Sequence, residues 1–459
     1  MRNAPLAFTR SYFDIAGQPS DQKTYYRPLT IVSFMVDAQR GGSDPRPYHV
    51  TNVLLHATAA CALLAVALAW GASAGAAAAA ALIFAVHPAN VQAVAWIAGR
   101  NDLLVTVFGL LSLLAFARPM GPPRAASHVV AFAAALFSKE TGIVFLPVAV
   151  LHRVYVRRER LTRTDWIAIV CDAVAVVAWA LARGHALGAL TSDVSVETGR
   201  LAIANLPQVF VQAGKMVAPI RLNVSPGIDA AGVTLGVATV AGLAWLAWSR
   251  MDRRLAAMTA LWMLAALLPT LVVPGLPVYE HRVYLPLAAL LIGCAAAVPA
   301  RKDARHFVVN AAVAVVVVLF AAMAYRREAV FRDPFTYWTD GTRDARFGPI
   351  AHVNLGQLYE AADRPADARR EYLRALERDP NTPKAHNDLG VVLVKLGEPE
   401  LARDHFRIET ERHPANPDAW FNLGVWSEEH GNAAEARRYY LRAVAADRHF
   451  APAQEKLAR

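Results

Sequence analysis

The 459-residue chain is poor in charge and poor in cysteine, and it lacks most of the short signatures of common catalytic chemistry. Charged residues make up 18% of it, against roughly 25% in an ordinary soluble domain. Its three cysteines, Cys61, Cys171 and Cys294, each lie inside an apolar stretch. Three isolated thiols build neither a disulfide framework nor a zinc site, and they read as small core residues. No Gly-rich phosphate loop and no HExxH sequence occurs, which excludes P-loop nucleotide chemistry and the zinc-peptidase helix. The opening "MRNAPLAFTRSYFDIAGQPS" is polar and irregular. It lacks the charged lead-in and apolar core of a signal peptide.

What the chain has instead is apolar length. Residues 50–325 are rich in Ala, Val and Leu, whereas 326–459 carry charge at the density of a soluble domain. The expected organisation is a non-cytoplasmic loop over 1–49, a polytopic membrane domain over 50–325, a linker over 326–348 and a soluble domain over 349–459. Candidate spans fall at 50–70, 76–87, 103–117, 127–138, 142–156, 166–182, 230–249, 256–273, 284–299 and 307–324. That is about ten crossings. A further amphipathic stretch, "NLPQVFVQAGKMVAPIRL", contains Pro207, Lys215 and Pro219 and is expected to be re-entrant or interfacial.

Lys and Arg orient the bundle. The loops at 70–75, 118–126, 152–165, 249–255 and 299–306 hold 13 of them in 44 residues, while the opposite loops hold 7 in 76. The richer set is expected to be cytoplasmic. This places the net charge of +10 in loops and argues against nucleic acid as a partner. In "LFSKETGI", one helix through Lys139 and Glu140 would bury both at mid-bilayer, at roughly 2.5–3.5 kcal/mol or more each. Two helices meeting at a non-cytoplasmic tip avoid that cost.

The soluble part repeats with a period of 34. "NLG" at Asn354–Gly356 recurs as "DLG" at Asp388–Gly390 and "NLG" at Asn422–Gly424. Ala368, Ala402 and Ala436 keep the register, as do Tyr372, Phe406 and Tyr440. Small residues at a helix crossing, a filling aromatic and turn prolines make the tetratricopeptide pattern. Three repeats and a capping helix are expected. The fold class is therefore all-α, a polytopic membrane helix bundle followed by a tetratricopeptide α-solenoid. Asn354, Asp388 and Asn422 take one equivalent position per repeat. They either hydrogen-bond the backbone of a bound peptide or tie adjacent helices together.

Polar residues cluster in the loops assigned to the non-cytoplasmic side. These are Arg27 in "YYRPLT"; His87, Gln92, Arg100, Asn101 and Asp102 in "HPANVQAVAWIAGRND"; Lys139–Glu140; and Glu280, His281, Arg282 and Tyr284 in "YEHRVYLP". His49, Asn52 and His56 add a stripe along one helix face. Convergent Arg, Lys and His suit a phosphate or pyrophosphate. Asp102, Glu140 and Glu280 would orient those cations, or act as base or metal ligand.

These four motifs, followed by the repeats, resemble the transmembrane-and-tetratricopeptide-repeat O-mannosyltransferases and their bacterial relatives. The resemblance covers nearly the whole chain. It implies a lipid-phosphosugar-dependent glycosyltransferase of the polytopic class, with polyprenyl-phosphate sugar as donor. It also implies a Ser or Thr acceptor on an exported protein, and repeats on the lumenal or periplasmic side. By carry-over, Arg27, Lys139, His281, Arg282 and Tyr284 would bind the donor, and His49, His87, Arg100, Asn101 and Asp102 would shape the site. Gln92 stands where relatives carry Glu. The acidic pair expected upstream of the stretch matched by "RNAPL" is missing, which makes Asp14 and Asp21 weak substitutes and an apolar span upstream of Met1 an expectation.

Two main functions follow, with an enzyme of the same class acting on a glycan or lipid acceptor as a third. The first is transfer of a sugar, such as mannose, from a polyprenyl-phosphate carrier to exported proteins held by the repeats. The second is a non-enzymatic membrane scaffold whose repeats recruit periplasmic partners. The high Ala and Arg content suits a GC-rich bacterial source and hence an inner membrane.

Overall fold

A computed structural model of the chain describes residues 4–10, 25–188, 196–220, 222–224, 228–268, 271, 279–298, 306–343 and 348–458. Every regular element among them is helical. Contacts divide the chain into two units: Met1–Leu222 with Ile228–Ala329, and Asn223–Gly227 with Val330–Arg459.

The first unit contains α1 (Pro28–Gly41), α2 (Arg46–Ala69), α3 (Ala74–Val86), α4 (Arg100–Phe116), α5 (Pro122–Ser138), α6 (Phe145–Leu151), α7 (Arg163–Leu187), α8 (Val196–Val217), α9 (Ala230–Arg250), α10 (Arg253–Leu267), α11 (Tyr284–Ala296) and α12 (His306–Glu328). Five described helices are long and apolar enough to cross a membrane. They become six if α3 and the following Pro88–Ala95, bent by 50°, make one broken span. The other expected spans appear as shorter helices, α5, α6, α10 and α11, of 17, 7, 15 and 13 residues. The chain belongs to a membrane protein.

Local chemistry sets the ends. Thr162 accepts the Asp165 N–H through Oγ1 while its own N–H donates to Asp165 Oδ2, a reciprocal cap that starts α7. Gly188, at φ 74°, ends it. The chain breaks at Lys139, whose backbone is extended between α5 and a 3-10 turn, Glu140–Val144. This is the break expected from the cost of burying Lys139 and Glu140. Inside the unit, the Phe145 ring lies where a Cβ on Gly109 would be. Leu103, Leu110, Phe116, Phe132, Leu136 and Trp262 are buried around it.

Three details differ from expectation. The first segment is not all loop: "PLTIVSFMVDAQRG" forms α1, opened by Pro28 at its first turn and anchored by buried Thr30, Ile31 and Asp37. Its apolar residues recur at helical spacing amid polar neighbours. The stretch around Pro207 is one 22-residue helix, α8, rather than a pair, and it ends before Pro219. Cys61 and Cys171 lie on exposed helix surfaces rather than in the core, because a membrane helix has no need to bury its apolar side.

The second unit contains α13 (Pro334–Gly341), α14 (Gly348–Ala361), α15 (Pro365–Arg378), α16 (Ala385–Lys395), α17 (Pro399–Arg412), α18 (Pro417–Glu429), α19 (Ala433–Ala446) and α20 (Ala451–Ala458). Helices α14 to α19 form three antiparallel pairs, and α20 packs on the last. In each pair a glycine faces the aromatic that recurs every 34 residues. A Cβ on Gly356, Gly390 or Gly424 would approach within 2.5, 2.4 and 2.4 Å of the rings of Tyr372, Phe406 and Tyr440. The 34-residue period is thus the period of a helix-crossing contact.

Candidate functional site

Four separate segments of the first unit bring charged groups together. Arg27, just before α1, donates to Glu140 from both Nε (3.2 Å) and Nη2 (2.7 Å). Lys139 Nζ donates to Asp102 Oδ1 at 2.7 Å, and His281 Nε2 lies 3.9 Å from Asp102 Oδ2. Arg282 is in electrostatic contact with Asp102, Arg27 and Glu140. Position follows from local structure: Asp102 sits in the first turn of α4, Lys139–Glu140 at the break after α5, and His281–Arg282 in a 3-10 turn opening α11.

Three cations meet two carboxylates here, so the cluster carries a surplus positive charge. Burial works against the Glu140 carboxylate, but Arg27 and Lys139 overcome it and hold the group down at about 2. Burial also disfavours the charge on Arg27, yet Glu140 more than offsets this and raises it. Burial pushes His281 down to about 3 against the pull of Asp102, with Lys139, Arg282 and Arg27 adding to the fall. Its imidazole is neutral at neutral pH. Burial lowers the Lys139 ammonium, opposed by Asp102. Glu140 is 37% exposed and the Asp102 side chain 4%. Of the two, only Glu140 opens to solvent.

Other expected residues are placed elsewhere. Glu280 adjoins the cluster in sequence but makes a separate buried group, paired to Lys215 and Arg327 at 3.2 Å each. Tyr284 is fully buried in α11, where its hydroxyl meets His56 Nδ1 at 2.7 Å and the other nitrogen of that ring meets the Ala85 carbonyl. Its hydroxyl is engaged by His56 inside the bundle. Arg100 turns inward onto Asp37 (2.5 Å) and also donates to Asn52, Ser33 and the Tyr48 carbonyl. Asn101 is buried beside it. His87 accepts the Ala89 N–H and faces the Met216 carbonyl at 3.2 Å, closing the turn after α3. Gln92 accepts the His281 N–H at 2.9 Å. His49 lies half-buried in the first turn of α2. Asp14 and Asp21 lie outside the described residues.

Sequence reading missed the partners Asp37, Lys215 and Arg327. Asp37 and Lys215 are lone charges within or beside apolar runs, which is itself a signal of buried pairing, whereas Arg327 lies between Arg326 and Glu328 at the end of one. It also missed a buried network in which His128 meets Asp172 at 2.7 Å and Ser112 at 3.0 Å. The string "GASAG" at 71–75 fits the GxSxG pattern. Ser73, however, caps α3 by accepting the Ala76 N–H, and a helix rather than a strand precedes it, so it is no nucleophile elbow. Among the described residues no group of three or more His, Cys, Asp or Glu is arranged to hold a metal ion.

In the repeats the equivalent polar positions tie neighbouring helices. Gln357 donates to Asp388 (2.8 Å), Asn387 to Asp388 (3.1 Å) and Asn422 to Asn387 (2.9 Å). Asn354 donates to the Ile350 carbonyl of its own helix. All three equivalent residues remain half-buried.

Comparison with known proteins agrees with this architecture. The tetratricopeptide-repeat family model matches residues 353–409 and 387–449. The human protein O-mannosyl-transferase TMTC3 is 30% identical over 152 residues, 31% of this chain and 16% of the relative. The Caenorhabditis elegans protein O-mannosyl-transferase F38B6.6 is 24% identical over 411 residues, 82% of this chain and 56% of the relative. This chain is a homologue of the TMTC protein O-mannosyl-transferases. It spans little more than half of the nematode relative and about a sixth of the human one. A solved structure titled as YrrB, a tetratricopeptide protein with an unusual peptide-binding site, is 21% identical with a TM-score of 0.26. It covers 34% of this chain and 85% of its own. Membrane helices, repeats and O-mannosyl-transferase relatives thus coincide in one TMTC homologue.

Proposed function

We propose that this TMTC homologue binds a polyprenyl-phosphate-linked sugar at the Arg27–Lys139–Arg282 cluster. It then transfers the sugar to a Ser or Thr hydroxyl of a protein captured by its repeats. The observation that carries this reading is the surplus positive charge assembled from four segments beside an accessible carboxylate. A phosphate matches such a group in charge, and Arg binds it through a planar fork of donors. The acceptor oxygen would attack the anomeric carbon while the bond to the phosphate oxygen breaks and its electron pair departs with the lipid phosphate. Arg27, Arg282 and Lys139 would stabilise that charge. Glu140 is the accessible proton acceptor. Held near 2, it is a weak base, suited to take the proton late, after the new bond has formed. The environment proposed is the bacterial inner membrane, with the cluster and the repeats on the periplasmic side.

The test is transfer by the full chain in lipid nanodiscs from polyprenyl-phosphate mannose to a Ser/Thr-rich exported protein. Glycopeptides should appear with the wild type and fall at least tenfold with Arg282→Ala. An unmodified acceptor with folded wild-type protein would overturn the assignment. A second reading, a repeat scaffold without transferase activity, is favoured by one observation: Asp102, Glu140 and Glu280 are all ion-paired. In that case partner capture by the repeats would persist while no glycopeptide forms.

A further inference from the structure

Next to the cation cluster lies a group of rings that no charge argument requires. Trp96, Tyr279 and His281 pack on one another with centroids 5.3–5.4 Å apart, and Tyr279 and His281 are nearly parallel, at 21°. Tyr25 lies under the Arg27 guanidinium at 4.4 Å. Tyr279 is in electrostatic contact with Arg282 and Tyr25, so the rings and the cations share one neighbourhood. Tyr25, Trp96 and Tyr279 are each half-buried and keep accessible surface.

The backbone that carries two of these rings is fixed. The Trp96 carbonyl lies 3.5 Å from Asn52 Nδ2, and the His281 N–H is bound by Gln92. Interfacial aromatics that only anchor a helix at the headgroups spread along the boundary with their polar ends to water. These converge beside three cations. A pyranose ring presents an apolar face of C–H groups, and large rigid aromatic faces pack against such a surface at low entropic cost.

We infer that Trp96 and Tyr279 form the sugar subsite of the donor pocket, stacking on the pyranose while Arg27 and Arg282 hold its phosphate. The inference rests on the donor reading above and adds the residues that read the sugar of that donor, as distinct from its phosphate. The rings are specificity-determining. They distinguish the sugar-bearing lipid from the spent carrier, which keeps the phosphate and lacks the sugar, and so favour release after transfer.

Binding of two probes to the full chain in nanodiscs tests this: polyprenyl phosphate and polyprenyl-phosphate mannose. The wild type should prefer the mannose-bearing lipid by roughly fivefold or more. Trp96→Ala and Tyr279→Ala should abolish that preference while binding polyprenyl phosphate within about twofold of wild type. Trp96→Phe should keep most of it. Equal binding of both lipids by the wild type, or an undiminished preference in both alanine variants, would overturn the inference. If Trp96→Ala loses both lipids together, Trp96→Phe decides, since retained preference supports stacking and lost preference refutes it. A failure of the donor reading looks different: polyprenyl phosphate would bind Arg27→Ala and Arg282→Ala as it binds wild type, whatever the rings do.

Discussion

Lys139→Met strands the Asp102 carboxylate. The pair is 2.7 Å long, with side-chain exposures of 12% and 4%. At an effective dielectric of about 20, such a pair attracts by about 6 kcal/mol before desolvation is subtracted. Removing one partner of a buried pair costs about 3–5 kcal/mol, because the other charge stays buried. Neutral His281, 3.9 Å from Asp102, supplies no replacement charge, whereas Arg282 supplies part of one, so the low end, about 3 kcal/mol, is expected. Asp102→Asn should cost less, since Lys139 is the more exposed partner. The double variant Asp102→Asn/Lys139→Met should be more stable than the sum of the singles implies, by about 1–3 kcal/mol. The assay is thermal exposure of Cys294, half-buried in α11, in a Cys61→Ser/Cys171→Ser background. Its labelling reports opening of the membrane unit alone. Additive effects of the two substitutions would refute the account of the pair.

Three further outcomes follow. Glu280→Gln should lower the melting temperature far more than Lys215→Met: the first removes the carboxylate that Lys215 and Arg327 share, the second leaves Glu280 with Arg327. Gly390→Val should destabilise the second repeat by about 1–3 kcal/mol through overpacking against Phe406, read as faster amide exchange in α16 and α17 of the full chain. The repeats should also loosen in mild acid. Burial, aided by His405, Arg412 and His413, pushes His386 down to about 4, and its Nδ1 lies 2.9 Å from that of His405. A histidine depressed on folding binds protons more readily when unfolded. Its contribution is complete above about 6.5 and falls away towards 4. His386→Asn should flatten that dependence, and unchanged protection between pH 7 and 4.5, taken relative to the intrinsic exchange rate at each pH, would contradict it.

The parts of the fold legible in the sequence were those written as periods or as costs. The 34-residue repeat marks one helix crossing, Gly against aromatic, and needs no long-range information. The break at Lys139 follows from the price of two charges in a bilayer. Helix α1 was missed because its apolar residues are interleaved with Ser, Asp and Gln, and its burial depends on α2 and α5. At the site, motif reading located Arg27, Lys139, Glu140, Asp102, His281 and Arg282, and the structure brings these six together. It could not separate them from Arg100, Glu280 and Tyr284, which carry the same chemistry in neighbouring positions. Which way a side chain turns depended on Asp37, Lys215, Arg327 and His56, and these lie 47 to 228 positions away along the chain.

The central claim is that the cation cluster holds a lipid phosphate, and direct binding of polyprenyl phosphate to the full chain in nanodiscs tests it. Arg282→Ala and Arg27→Ala should each weaken binding at least tenfold, because each removes a charge-assisted fork worth about 1.5–3 kcal/mol. Arg326→Ala, outside the cluster on α12, should leave it unchanged. Equal binding by wild type and both cluster variants, with all proteins folded, would contradict the account.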